Sequence, residues 1–174
     1  MAGRLLLASI LLLGCMSAAQ VRGHDPLTPA EIDQLRDTAM EPNERIKLFT
    51  RFARARLAAV LEVRNDPKAS DRAQTIHDRL QEFADIYDEL NDNIDNFIDR
   101  KEDMRKPLKL VLQADSEFET KLLAIKNAPE ARSKEGDPYR FLVDSCLETV
   151  SNSTDDHKQD LDQQEEAAKH RKKS

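Results

Sequence analysis

Residues 76–125 read IHDRLQEFADIYDELNDNIDNFIDRKEDMRKPLKLVLQADSEFETKLLAI. Two interleaved series repeat every seven positions through this stretch. One is Leu80, Tyr87, Ile94, Lys101, Leu108, Asp115 and Leu122; the other is Ile76, Phe83, Leu90, Phe97, Met104, Val111, Phe118 and Ile125. Spacing that alternates between three and four residues holds one stripe on one side of an α-helix. The pattern predicts a helix over about 70–126. Pro107 falls inside it, and a proline in a helix interior costs ~3 kcal/mol unless a kink relieves it. The apolar register nevertheless passes from Met104 to Leu108 unbroken. A single residue is too short to reverse a chain, because helix–helix connections take about 2–8 residues. The stretch therefore reads as one long central helix kinked at Pro107.

Shorter helices flank it. Thr28-Pro29-Ala30-Glu31 is a helix start, with Thr as cap, Pro at the first helical position and Glu three residues after the cap. A helix over about 29–40 follows, Pro42 restarts the chain, and a second helix runs over about 42–65 to Asn65-Asp66-Pro67. Ser70 is placed to cap the long helix, and Asp137-Pro138 opens a last one over about 138–168. Ile46, Phe49, Phe52, Leu57 and Val60 leave the second helix apolar over more than half its circumference, so it needs at least two neighbours. Ala84, Ile86, Ile98, Leu112 and Ala114 likewise widen the stripe of the long helix. Together these predict an all-α, elongated helical bundle of three or more antiparallel helices, rather than a bare two-stranded coiled coil.

The ends of the chain carry addressing signals. Arg4, the apolar run Leu5 to Leu13 and the small residues Ser17-Ala18-Ala19 have the order of a secretory signal peptide over residues 1–19. Leu12-Leu13-Gly14-Cys15 also resembles a bacterial lipobox, which implies a lipoprotein signal over 1–14 and lipidation of Cys15. Residues 20–28 form a linker, 29–168 the bundle domain and 169–174 a basic tail. The expected location is the bacterial periplasm or outer envelope. Loss of residues 1–19 removes one basic residue, Arg4, and leaves a net charge of about −7, compared with −6 for the 174-residue chain. That charge argues against a nucleic-acid partner. Contact with a membrane is expected only through a lipid on Cys15 or weakly through the tail, Lys169 to Lys173. After cleavage Cys146 is the sole thiol, and its place among Leu142, Val143 and Leu147 reads as a small buried hydrophobe.

Two groups of residues stand out as chemistry. Asp88, Asp92, Asp95 and Asp99 lie four or three apart on one helix face, a spacing that can share a hard cation. The pairs Asp88/Asp92 and Asp95/Asp99 match the acidic-x-x-x-Asp spacing of PhoU-like helical proteins. That resemblance implies carboxylates on bundle helices that bind metal clusters. In the heptad frame the same four residues fall opposite the apolar seam, as a solvated face does, and no metal or other cofactor is assigned. The second group is polar residues on apolar faces. Lys101 and Asp115 sit in the seam and need partners from another helix, with Asp160 or Gln164 expected near Lys101 and Thr149 near Asp115. Arg56 is expected to reach Asp78 or Glu82. These read as buried structural charges that specify register.

No Gly-rich phosphate loop, nucleophile elbow or zinc-type histidine pair occurs, so no catalytic residue is assigned. The sequence thus leads to an exported, non-enzymatic module for protein interaction, scaffolding or chaperoning. Its apolar helix faces would meet a second copy or a protein partner. The alternative is an envelope protein that binds divalent cations, or responds to stress, through its acidic outer face.

Overall fold

The computed structural model describes residues 25–66 and 68–171, so the proposed signal segment and Cys15 lie outside the described residues. Within them the fold is all-α, with no strand. The helices are α1 (Pro29–Asp37), α2 (Pro42–Asn65), α3 (Arg72–Asp99), α4 (Arg105–Lys126) and α5 (Asp137–Arg171). Two short 3-10 turns, Glu130–Arg132 and Lys134–Gly136, link α4 to α5.

The expected single helix with a kink at Pro107 is corrected. The helix ends at Asp99 and a new one starts at Arg105. Asp99-Arg100-Lys101-Glu102-Asp103 are five consecutive charged residues with no apolar side chain to bury. Lys101 adopts φ 62°, the left-handed region. Lys101 N–H donates to Ile98 O at 2.9 Å and Glu102 N–H to Phe97 O at 3.0 Å, the paired bonds of a Schellman helix stop. The far side of the turn is clamped by α5, where Gln164 Oε1 accepts from Met104 N–H at 2.7 Å. Pro107 lies in the first turn of α4, where an N–H would have had no helical acceptor, so it interrupts nothing. Its ring is buried as part of the core.

The chain therefore folds back on itself. Tyr87 of α3 reaches Asp115 of α4 at 2.8 Å, although 28 residues of continuous helix would separate them by roughly 42 Å. Around the bundle the helices run α2, α3, α5, α4, so that α3 and α4 face each other across the centre. Arg45 bonds Asn93 and Arg56 pairs with Glu82, which makes α2 and α3 antiparallel. Lys109–Glu165 and Lys126–Asp144 do the same for α4 and α5. The remaining neighbours are parallel, as Arg54–Glu117 shows for α2 and α4 and Asn91–Ser153 for α3 and α5. At the centre, the rings of Phe83 and Phe118 meet edge to face at 5.4 Å, and Tyr87 meets Phe118 the same way at 6.0 Å.

Local chemistry explains the other boundaries. Thr28 and Glu31 close the expected capping box: Thr28 N–H donates to Glu31 Oε2 at 2.8 Å and Glu31 N–H to Thr28 Oγ1 at 3.3 Å. Ser70 does not cap α3; Asp71 at φ 49° precedes it instead. The α4–α5 link rises past the end of α4 before α5 returns. Arg140 Nε donates to Ala131 O at 3.0 Å, and Gly136 sits where an added Cβ would lie 2.4 Å from Ala131 O.

Lys101 is a direct test of the turn. Left-handed backbone costs a non-glycine residue about 1–2 kcal/mol, against about 0.5–1 kcal/mol of extra chain entropy for glycine. Lys101→Gly is expected to raise stability by up to about 1 kcal/mol in urea unfolding, and Lys101→Val to lower it.

Candidate functional site: a buried Tyr-Asp-His network

The most deeply buried carboxylate among the described residues is Asp115, 1% exposed on the inward face of α4. A lone carboxylate there would be prohibitive, because an unpaired buried charge costs several kcal/mol. Each oxygen has a donor from a different helix. Tyr87 Oη on α3 donates to Oδ1 at 2.8 Å. His157 Nδ1 on α5, in a residue 3% exposed, lies 2.9 Å from Oδ2. A carboxylate can only accept here, so Nδ1 carries a proton. Burial, reinforced by the charge of Asp115, lifts the Tyr87 phenol above its ordinary value and keeps it a donor. Beside the network Asn91 Nδ2 donates to Ser153 Oγ at 2.9 Å, which ties α3 to α5 once more.

Such a network orients helices; its carboxylate has both oxygens occupied and no exposed face for a reactant. The groove nearest to it, about 230 Å³ between α3 and α5, is lined by Phe83, Tyr87, Asp88 and Cys146. Burial, with the nearby charges of Asp88 and Asp85, pushes the Cys146 thiol up to about 12, so it stays a neutral thiol rather than a nucleophile.

The seam residues separate cleanly. Asp115 is buried, but its partners are Tyr87 and His157 instead of Thr149. The α5 register lies two turns further along than a short link predicts, because the 3-10 turns and the start of α5 extend past α4. Lys101 is corrected from a buried seam residue to an exposed turn residue. Gln164 does come to that turn, bonding the backbone of Met104 and Glu102. Arg56 is buried as expected and reaches Glu82, where Nε sits 2.9 Å from Oε2 but too oblique for a hydrogen bond. Its main partner is the unforeseen Glu31 of α1, held at 2.9 and 2.7 Å by two guanidinium nitrogens.

The acidic candidates Asp88, Asp92, Asp95 and Asp99 are all exposed on α3. Asp160 of α5 joins their field. Burial and the neighbouring charges of Asp85 and Asp92 raise Asp88; burial with Asp92 and Asp99 raises Asp95; burial with Asp95 raises Asp160. Among the described residues no three metal-ligating side chains converge. Lys169 of the tail is exposed and pairs with Glu166.

His157 was missed by sequence reasoning, yet its signal is present. Val143, Cys146, Val150, His157 and Leu161 are spaced by three, four, seven and four residues on α5, all steps that stay on one helix face, so the imidazole occupies a core position of that stripe. Among the described residues no helix is long and apolar enough to cross a membrane. Comparison of the chain with protein-family models, curated proteins and solved structures returns no match.

Asp115→Ala strands two buried donors and is expected to cost about 3–5 kcal/mol in urea unfolding, whereas Tyr87→Phe costs about 1–2 kcal/mol. The two changes should be non-additive by at least about 0.5 kcal/mol in a double-mutant cycle. Glu31 makes the docking of α1 sensitive to acid. Burial opposes its charge, but hydrogen bonds from Arg56 and Thr28 outweigh burial and hold the carboxyl below its ordinary value. Its stabilising contribution is thus complete above the free carboxyl value of 4.5 and is lost as pH falls through the lower folded value. NMR of α1 amides during acid titration should show α1 signals shifting or broadening in that window, and Glu31→Gln should remove the effect.

Proposed function

We propose that this chain is an exported, non-enzymatic helical module of a bacterial envelope whose outer helix faces engage a protein partner or a second copy. One observation carries the reading. The polar groups best suited to chemistry, Tyr87, Asp115, His157 and Cys146, are turned inward and spent on packing, while α5 leaves Phe141 84% exposed to solvent. A large aromatic so placed is a natural anchor, because binding energy concentrates in buried aromatic contacts. Photo-crosslinking from position 141 in cells that export the chain is expected to trap one discrete adduct. A reactive group at exposed Lys158 serves as control, and sedimentation at micromolar concentration distinguishes a second copy from a different partner. A monomer that gives no adduct from position 141 would overturn the reading.

A second reading is weak binding of divalent cations along Asp88, Asp92, Asp95 and Asp99. It is supported by the raised carboxyls of Asp88 and Asp95, where burial is joined by repulsion from Asp85, Asp92 and Asp99 that a cation would relieve. Melting in millimolar calcium or manganese should then rise relative to sodium at equal ionic strength, and an unchanged melting temperature dismisses it.

A further inference from the structure

α1 is attached to the bundle differently from every other helix. It has nine residues, fewer than the ~12–15 a helix needs to persist alone, so its helicity depends on docking. Leu35 is its one buried residue. An open groove of about 530 Å³ runs along its junction with the bundle, lined by Leu27, Ile32, Leu35 and Phe49 together with Arg45 and Glu89.

What holds α1 is polar, and it comes from arginines of α2. Arg56 grips Glu31 with two nitrogens and also donates from Nη2 to Pro26 O at 2.6 Å. Arg45 Nη1 donates to Leu35 O at 2.7 Å, and Arg51 bonds the side chain of Gln34. Glu31 serves two purposes at once, because its Oε2 also closes the capping box that starts α1. The chain leaves α1 through Thr38–Glu41, in which Ala39, Met40 and Glu41 are exposed.

The bundle does not rely on α1 for its own integrity. The central aromatic cluster and the Asp115 network are built from α3, α4 and α5 alone. Nor would departure of α1 strand the buried guanidinium, because Arg56 keeps Glu82 of α3, itself paired with Arg79 at 2.7 Å. Breaking the Glu31 contact therefore leaves a compensated pair behind, the condition for local opening at modest cost.

We propose that α1 is a releasable strap: it swings out on the Thr38–Glu41 hinge while α2–α5 stay folded, and so uncovers the apolar wall around Phe49. Phe49 is 1% exposed with the strap in place. The device goes beyond the partner reading and stands or falls without it.

Hydrogen–deuterium exchange of the full chain at neutral pH tests this. Amides of Asp33 to Asp37 should be protected relative to unstructured chain, yet exchange at least about 100-fold faster than core amides of α3 and α4. Glu31→Ala should speed α1 exchange a further ~10-fold or more with α3 and α4 unchanged, while Asp33→Ala, at an exposed pair with Arg36, leaves both unchanged. Binding of an apolar fluorescent dye should rise in Glu31→Ala. Three results would each overturn the strap: α1 protected as long as the core, α1 with no protection at all, or Glu31→Ala loosening α1 and the core together.

Discussion

The interior of this bundle exists because one apolar stripe is folded against itself. As a single rod, residues 76–125 would be roughly 75 Å long and would present an unburied seam along all of it. The Schellman stop at Lys101 halves that length and brings Phe83 and Tyr87 of one half against Phe118 of the other. Because α3 and α4 lie across the centre, not side by side, the turn between them runs diagonally over the end of the bundle. Gln164 of α5 bonds that turn at Met104 and Glu102, so the last helix secures the reversal on which the earlier packing depends.

Much of this is legible in the residues, and the failures share a cause. Helix starts at Pro29 and Pro42 follow from local cap chemistry, as does the Thr28–Glu31 box. The seam positions from Ile76 to Ile125 are buried with the single exception of Lys101. Periodicity could not reveal the reversal, because both halves must turn the same stripe inward whether the chain continues or doubles back. The signal lay elsewhere, in five consecutive charged residues from Asp99 to Asp103, where no side chain had a core to enter. Asp115 announced itself as a buried charge, but its partner depended on the α5 register. That register was set by two 3-10 turns that hydrophobic spacing does not encode.

Charge is used in two distinct ways. Inside, Asp115 and Arg56 are each met by groups from two other helices, and the match specifies how those helices align. Outside, burial and then the neighbouring Asp charges of α3 raise Asp88 and Asp95 without any converging cluster among the described residues. The first pattern makes one structure favourable over its shifted alternatives. The second keeps the surface strongly solvated and leaves isolated apolar side chains such as Phe141 conspicuous against it.

The pairing of neighbours also bears on how the chain assembles. α2 with α3, and α4 with α5, are antiparallel partners consecutive in the chain, so each hairpin collects contacts local in sequence and can form quickly. The parallel contacts between hairpins, α2 with α4 and α3 with α5, join residues more than sixty positions apart. Asp115 spans that divide: His157 lies in its own hairpin, and Tyr87 in the other. Half of the network thus forms within a hairpin and half only on docking. A change at Tyr87 therefore weakens hairpin docking alone, whereas a change at His157 also weakens the α4–α5 hairpin itself.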